Sequence, residues 1–270
     1  IGQAIASGKE GAIAALQYAD RIYQLPLGVV GVAVGVVLLP ELARALKSGH
    51  MKEAGNIQNR SIEFVLFLTL PAAAALWVLS DEIIRVLYER GAFSEQNTAV
   101  VAAILAIYGV GLPGFVMIKA LQPGFYARED TRTPMRFTGI SVVINSALAI
   151  SLFPLLAERG IAIAEAAAGW INTVLLFVTL HRRGHLVWEW PLFTRALRLM
   201  VSAAVMAVVL VYLSDYWSDW LAPQSLLVNQ MTALGGLVVV AMVVYFGLAF
   251  AIGGADLGML RRNLKRKPKA

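Results

Sequence analysis

Four residues at helical spacing carry the most chemistry in this chain. Gln17, Arg21, Gln24 and Gly28 follow one another at steps of four, three and four, so a helix would set them on one face. They head the segment from Tyr18 to Pro40, YADRIYQLPLGVVGVAVGVVLLP, which is almost wholly apolar after Gln24. Residues 11–39 would make a helix of about 43 Å, enough to cross a bilayer. Arg21 then lies about 15 Å from the Gly11 end, near mid-membrane, where burying a guanidinium costs about 2.5–3.5 kcal/mol. Such a group needs a partner, a wet cavity or an anionic ligand. One reading is a cationic site in an aqueous cavity, where the planar fork of Arg21 grips phosphate oxygens bidentately and Gln24 bonds beside it. The other is a structural ion pair with an acid on another helix, or a side chain that snorkels to the headgroups. Asp20 turns about 100° away from Arg21 along a helix and need not pair with it.

Other polar groups lie within apolar runs. Lys119 is one to two turns from a basic loop, close enough to snorkel to it. Glu165 falls about 7–8 Å into its span; it could be inert, face an ion path or reach the nearer interface. Asn145, and Asn172 with Thr173, suit helix–helix hydrogen bonds worth about 0.6 kcal/mol each. Gly28, Gly109, Gly111 and Pro113 are candidate flex points for alternating access, although Gly and Pro are also common in membrane helices that do not move. The chain has no cysteine, and its three histidines fall in polar stretches read as loops. No nucleotide loop, metal-binding His-Glu pair or catalytic triad is present. An enzyme reading has nothing to rest on, and no cofactor or metal is expected.

The elements that must position these residues follow from composition. Hydrophobic residues make up 59% of the 270, charged residues only 15%, and mean hydropathy is +0.69. Soluble domains run nearer 45–50% apolar and 25% charged, so the fold class expected is all-α, a polytopic membrane bundle. About seven spans are expected, near residues 11–39, 61–79, 99–125, 137–156, 160–180, 196–213 and 226–252. Gly109 to Pro123 should interrupt the third, and DEIIRVLYERG should form a short interfacial helix. Seventeen of the 23 Lys and Arg fall in alternate loops on one side, including six in the tail RRNLKRKPKA. Lys9, Arg85, Arg90 and Arg159 fall on the other. Positive charge marks the cytoplasmic side, so the net charge of +6 reflects topology and anionic lipid, not nucleic acid, and the C-terminus is expected in the cytoplasm. The start, IGQAIAS, reads like a helix already under way, as in the C-terminal part of a longer protein.

Three separated stretches carry a family resemblance: YADRIYQLPLGVVGVAVGVVLLPELAR, ERGAFSEQNT and LQPGFYAREDTRTPMR. With GIAIAEAAAGWINT, they resemble the second half of the MurJ (MviN) lipid II flippases of the multidrug/oligosaccharidyl-lipid/polysaccharide (MOP) exporter superfamily. The resemblance implies a second six-helix lobe over 1–190 with its first helix truncated, two additional helices over 191–256 and a basic cytoplasmic tail over 257–270. It also implies movement of an undecaprenyl-pyrophosphate-linked peptidoglycan precursor, lipid II, across the bacterial inner membrane for cell wall synthesis. The partners implied are that lipid, membrane phospholipids and a missing N-terminal lobe. Arg21 matches a cavity arginine that receives the headgroup, with Gln17, Asp20 and Gln24 as its neighbours, and the last two helices match a groove for the polyprenyl tail. Some relatives couple to Na+. Asn145 matches one such position, but Ala149 replaces the acid expected one turn later and Glu165 stands where a hydroxyl is more usual. Asn145 and Glu165 are therefore candidates for a coupling Na+ or H+. Two other readings stay open: a MOP-superfamily exporter of another polyprenyl-linked saccharide or of drugs, and a membrane scaffold for wall-synthesis partners.

Overall fold

A computed structural model of the chain describes residues 2–9, 11–186 and 190–254, with side chains throughout except at residues 3 and 32–37. The described residues form helices and no strand: α1 (Gly2–Ala6), α2 (Ala12–Lys47), α3 (Met51–Val78), α4 (Ser80–Tyr88), α5 (Glu95–Tyr126), α6 (Arg132–Leu156), α7 (Glu158–Arg182), α8 (Trp190–Tyr216), α9 (Ser218–Leu221) and α10 (Leu227–Ala251). Among the described residues, six helices are long and apolar enough to cross a membrane: α3, α5, α6, α7, α8 and α10. The first expected crossing falls in α2, a helix of 36 residues that includes 32–37. The basic tail expected over 257–270 lies outside the described residues.

Three expectations need correction. The polar stretch after the first span is not a loop: α2 runs to Lys47 and α3 starts at Met51, leaving Ser48, Gly49 and His50 to turn. Its Lys, Arg, Glu and Ala are good helix formers, and only Gly49, at φ +75°, makes the left-handed turn that glycine permits. The third span is not interrupted, because α5 continues through Pro113 and Pro123. Proline withholds an N–H from the ladder, and neighbouring side chains donate to carbonyls beside these breaks. Trp170 Nε1 donates to the Val110 carbonyl at 3.0 Å, Thr173 Oγ1 to Gly114 at 2.7 Å and Gln58 Nε2 to Ala120 at 2.7 Å. Finally, His181 belongs to the last turn of α7 and not to a loop.

The core centres on α5, which packs between α2, α3 and α7. Small residues bring the backbones close, as in many membrane interfaces. A Cβ added to Gly111 would lie 3.1 Å from the Ala166 Cβ, and one added to Gly109 would lie 3.0 Å from the Leu76 Cβ. The α6–α7 hairpin turns at Ala157, a non-glycine residue at φ +50°. Gly160 then sits so close to α6 that an added Cβ would lie 2.7 Å from the Leu152 backbone. The interfacial α4 forms as expected, burying Ile84 and Val86. A second core joins α8 and α10 to α3 and α4 through Phe67, Leu79, Leu199, Met206, Leu237 and Tyr245. Two contacts fix that joint. Arg195 pairs with Glu63 at 2.9 Å, and the buried Tyr245 hydroxyl donates to the Phe67 carbonyl at 2.9 Å. Phe67 is the residue four before Pro71, so its carbonyl lacks its helical donor.

Candidate functional site

Helix α2 has two unlike faces. Ala12, Ala15, Leu16, Ala19, Tyr23 and Val30 are buried against the bundle. Ala14, Gln17, Tyr18, Arg21, Gln24, Leu25, Gly28 and Val29 are exposed, at the steps of three and four that mark one side of a helix. The four residues singled out by spacing therefore share a face, and that face turns away from the other described helices. α6 also exposes one side, but there the residues are Met135, Ile140, Val143, Ile150 and Leu155, suited to acyl chains. The α2 face instead offers a guanidinium and two amides. Among the described residues, Arg21 has neither a hydrogen bond nor an ion pair. No acid of another helix pairs with it among the described residues.

Asp20 is half-buried at the edge of this face and accepts a hydrogen bond from Gln24 Nε2. Gln24 is thus anchored by a residue one turn back, which leaves its carbonyl and second N–H for other partners. Behind Asp20 lies a layer that the sequence reading missed. Tyr23 and Tyr108 are both buried with ring centroids 5.3 Å apart, and Tyr108 donates to Glu165 Oε2 at 2.7 Å. The Tyr23 hydroxyl is buried with no partner among the described residues. The only signal in the sequence was two tyrosines inside apolar runs, and nothing there said that they would meet.

Glu165 reaches inward to α5, and the described α1 lies over its other side: a Cβ on Gly2 would lie 3.1 Å from Glu165 Oε1. Asn145 does not meet it. With the hairpin turning at Ala157, Glu165 is level with Ala149, whereas Asn145 is one turn, about 6 Å, further along. The Asn145 Oδ1 is buried with no partner among the described residues, and at the level of Glu165 helix α6 offers only the buried methyl of Ala149. Of the candidate flex points, Gly28 is exposed, while Gly109, Gly111 and Pro113 are packed within α5's contacts. Near the first turn of α2 a cavity of about 350 Å³ opens beside Ala14, Tyr18, Phe93, Asn97 and Glu158.

Comparison with known proteins adds a family to this geometry. Residues 1–232 match the family model described as lipid II flippase MurJ. The chain belongs to the MurJ family. It is 73% identical over all 270 residues to a probable lipid II flippase MurJ of Rhizobium tropici, covering 51% of that protein. It is 59% identical over 98% of its length to the corresponding protein of Rhizobium meliloti, covering 50% of it. A lipid II flippase MurJ of Burkholderia cenocepacia is 30% identical over 90% of the chain, which covers 47% of that protein. The chain thus spans about half the length of these MurJ relatives. The family match takes in α1 to α9 and the first residues of α10, and Arg21 with its face of α2 falls well inside it.

Proposed function

We propose that this chain is the C-terminal part of a lipid II flippase, which carries the lipid-linked peptidoglycan precursor from the cytoplasmic to the periplasmic leaflet by alternating access. The observation that carries the reading is Arg21, held on an outward face of α2 with no ion pair among the described residues. A guanidinium left unpaired at that depth is stabilised when pyrophosphate oxygens reach it. Gln17 and Gln24 offer amides on the same face, and Asp20 holds Gln24 in place. In this reading the face closes a central cavity against the N-terminal lobe. The C-terminus lies on the cytoplasmic side of the bacterial inner membrane, and α8 and α10 accommodate the polyprenyl tail. The first lobe, lipid II and phospholipids are the partners, and no cofactor or catalytic step is invoked. Gly28, Gly109, Gly111 and Pro113 are the proposed flex points. Asn145 and Glu165 remain the proposed positions for a coupling Na+ or H+. They lie on different turns with no oxygen at Ala149, so no step is routed through a bound cation.

The test uses the full-length protein in proteoliposomes loaded with lipid II. Arg21→Ala is expected to abolish flipping and growth support while expression stays normal. Arg21→Lys separates bidentate recognition from charge alone, and a substantial loss is expected. Full transport by Arg21→Ala would end this reading and favour a scaffold.

A further inference from the structure

The stretch ERGAFSEQNT, which the anion site on α2 does not use, builds one wall of the cavity near the first turn of that helix. The connection from α4 to α5 is pinned at several points. The Arg90 N–H donates to the Tyr88 carbonyl at 2.7 Å, and Gly91 turns the chain at φ +63°. Thr98 Oγ1 donates to Glu89 Oε2 at 2.6 Å, and Ser94 caps α5 by accepting from the Asn97 N–H. So held, the loop sets Phe93 edge-on to Tyr18, with ring centroids 5.4 Å apart, while Tyr88 lies 4.9 Å from the same ring. Tyr18 nevertheless stays 40% exposed. With Asn97 and Glu158, Tyr18 and Phe93 line a cavity of about 350 Å³, at the small end of ligand pockets, which run from about 300 to 1,000 Å³. Lys9 holds Glu158 at 2.8 Å, so the carboxylate is balanced in charge and its remaining lone pairs can accept further hydrogen bonds. Among the described residues, no lysine or arginine lines the cavity.

We propose that this cavity is a saccharide pocket, which takes the sugar joined directly to the pyrophosphate of the lipid-linked substrate. A pyranose ring presents apolar C–H faces and a rim of hydroxyls. Tyr18 and Phe93 meet the faces. The Asn97 amide bonds hydroxyls in either sense, and the Glu158 carboxylate accepts from them. With no cation on its walls the cavity does not suit a phosphate, and its volume suits one sugar ring, not the whole head. Its position agrees. Tyr18 precedes Arg21 by three residues, about 4.5 Å along one side of α2, so a sugar in the cavity lies next to a phosphate on the guanidinium. Because the loop and the rings are fixed by their own contacts, binding costs little further ordering. The proposal rests on the flippase reading above and adds a site that reads the head by its glycan, at the end of the bundle where that reading releases it.

The test uses the full-length protein in detergent and measures binding of three probes: undecaprenyl pyrophosphate, the same lipid carrying a single N-acetylglucosamine, and lipid II. Asn97→Ala and Tyr18→Leu are each expected to weaken binding of both sugar-bearing lipids at least fivefold and to leave undecaprenyl pyrophosphate within twofold of wild type. Tyr18→Phe keeps the ring and is expected to bind all three normally. Should Tyr18→Leu not fold, Asn97→Ala, at an exposed position, still decides. Equal losses for all three lipids would make these residues structural or phosphate contacts, and a loss for lipid II alone would put the peptide in the cavity. Either result overturns the proposal, as does binding of all three by both variants within twofold of wild type. Lipid II flipping in proteoliposomes separates that failure from failure of the flippase reading. An inactive Arg21→Ala beside pocket variants that bind normally removes the saccharide pocket alone, whereas normal flipping by Arg21→Ala removes both.

Discussion

Asp20 follows Ala19 and precedes Arg21, yet its hydrogen bond comes from Gln24, one turn on, and the guanidinium beside it has no ion pair among the described residues. Adjacent side chains on a helix point about 100° apart, whereas residues four apart are stacked. At the basic end a different local device operates, because Asp130 precedes α6 and accepts from the first turn of that helix. Thr133 donates to Asp130 through its hydroxyl at 2.6 Å and its backbone N–H at 3.0 Å, and Arg183 of the α7 end donates at 2.6 Å. The Thr133 hydroxyl, then Arg183, hold the Asp130 carboxyl well below the usual carboxylate range. A folded value below the unfolded one, about 3.9, gives a contribution to stability that is complete above about pH 4 and lost as pH falls through the folded value. Asp130→Asn should therefore melt below wild type at pH 7 in detergent, and the gap should narrow steadily below about pH 4. A gap that holds constant to pH 2 would mean that charge has no part in the joint.

Helices in this bundle solve the proline problem by borrowing donors from their neighbours. Pro71 deprives the Phe67 carbonyl of its own helix's N–H, and Tyr245, 178 positions further along the chain though buried against it, supplies the replacement. Tyr245→Phe should lower stability by about 1 kcal/mol, the scale of a hydrogen bond between membrane helices. In a Pro71→Ala background, where the backbone donor is restored, the same change should have little effect. Thermal unfolding of the four proteins of this cycle checks it, and additive losses would show that the hydroxyl does not serve the orphaned carbonyl. At this scale the sequence predicted the helices well and their ends poorly. The connection after the first span shrank to three residues because good helix formers prolonged both neighbours. α5 stayed whole because Trp170, Thr173 and Gln58, all from other helices, bond to its backbone near the prolines.

Among the described residues, α2 turns a polar face outward within its span, whereas α6 turns an apolar one. An apolar face is satisfied by lipid, but a face with Gln17, Arg21 and Gln24 is not. The geometry therefore implies a cover of water or protein over α2 that the described residues do not provide. Orientation can be tested directly because this chain carries no cysteine. In the full-length protein freed of any other cysteine, a membrane-impermeant maleimide should label Gly91→Cys in intact spheroplasts. It should label Ser48→Cys only in inverted vesicles. The opposite pattern would reverse the topology drawn from basic residues.

The all-α membrane character, the approximate spans and the helical line from Gln17 to Gly28 were determined by the sequence alone, because hydropathy and helical period are local properties of the chain. Whether Arg21 would be paired was decided only by the tertiary structure, as was the meeting of Tyr108 with Glu165 and of Tyr18 with Phe93. Each depends on which helices become neighbours and at what axial level. Packing across the whole bundle sets that level, since a shift of a single turn, about 5.4 Å, would bring a different set of side chains together.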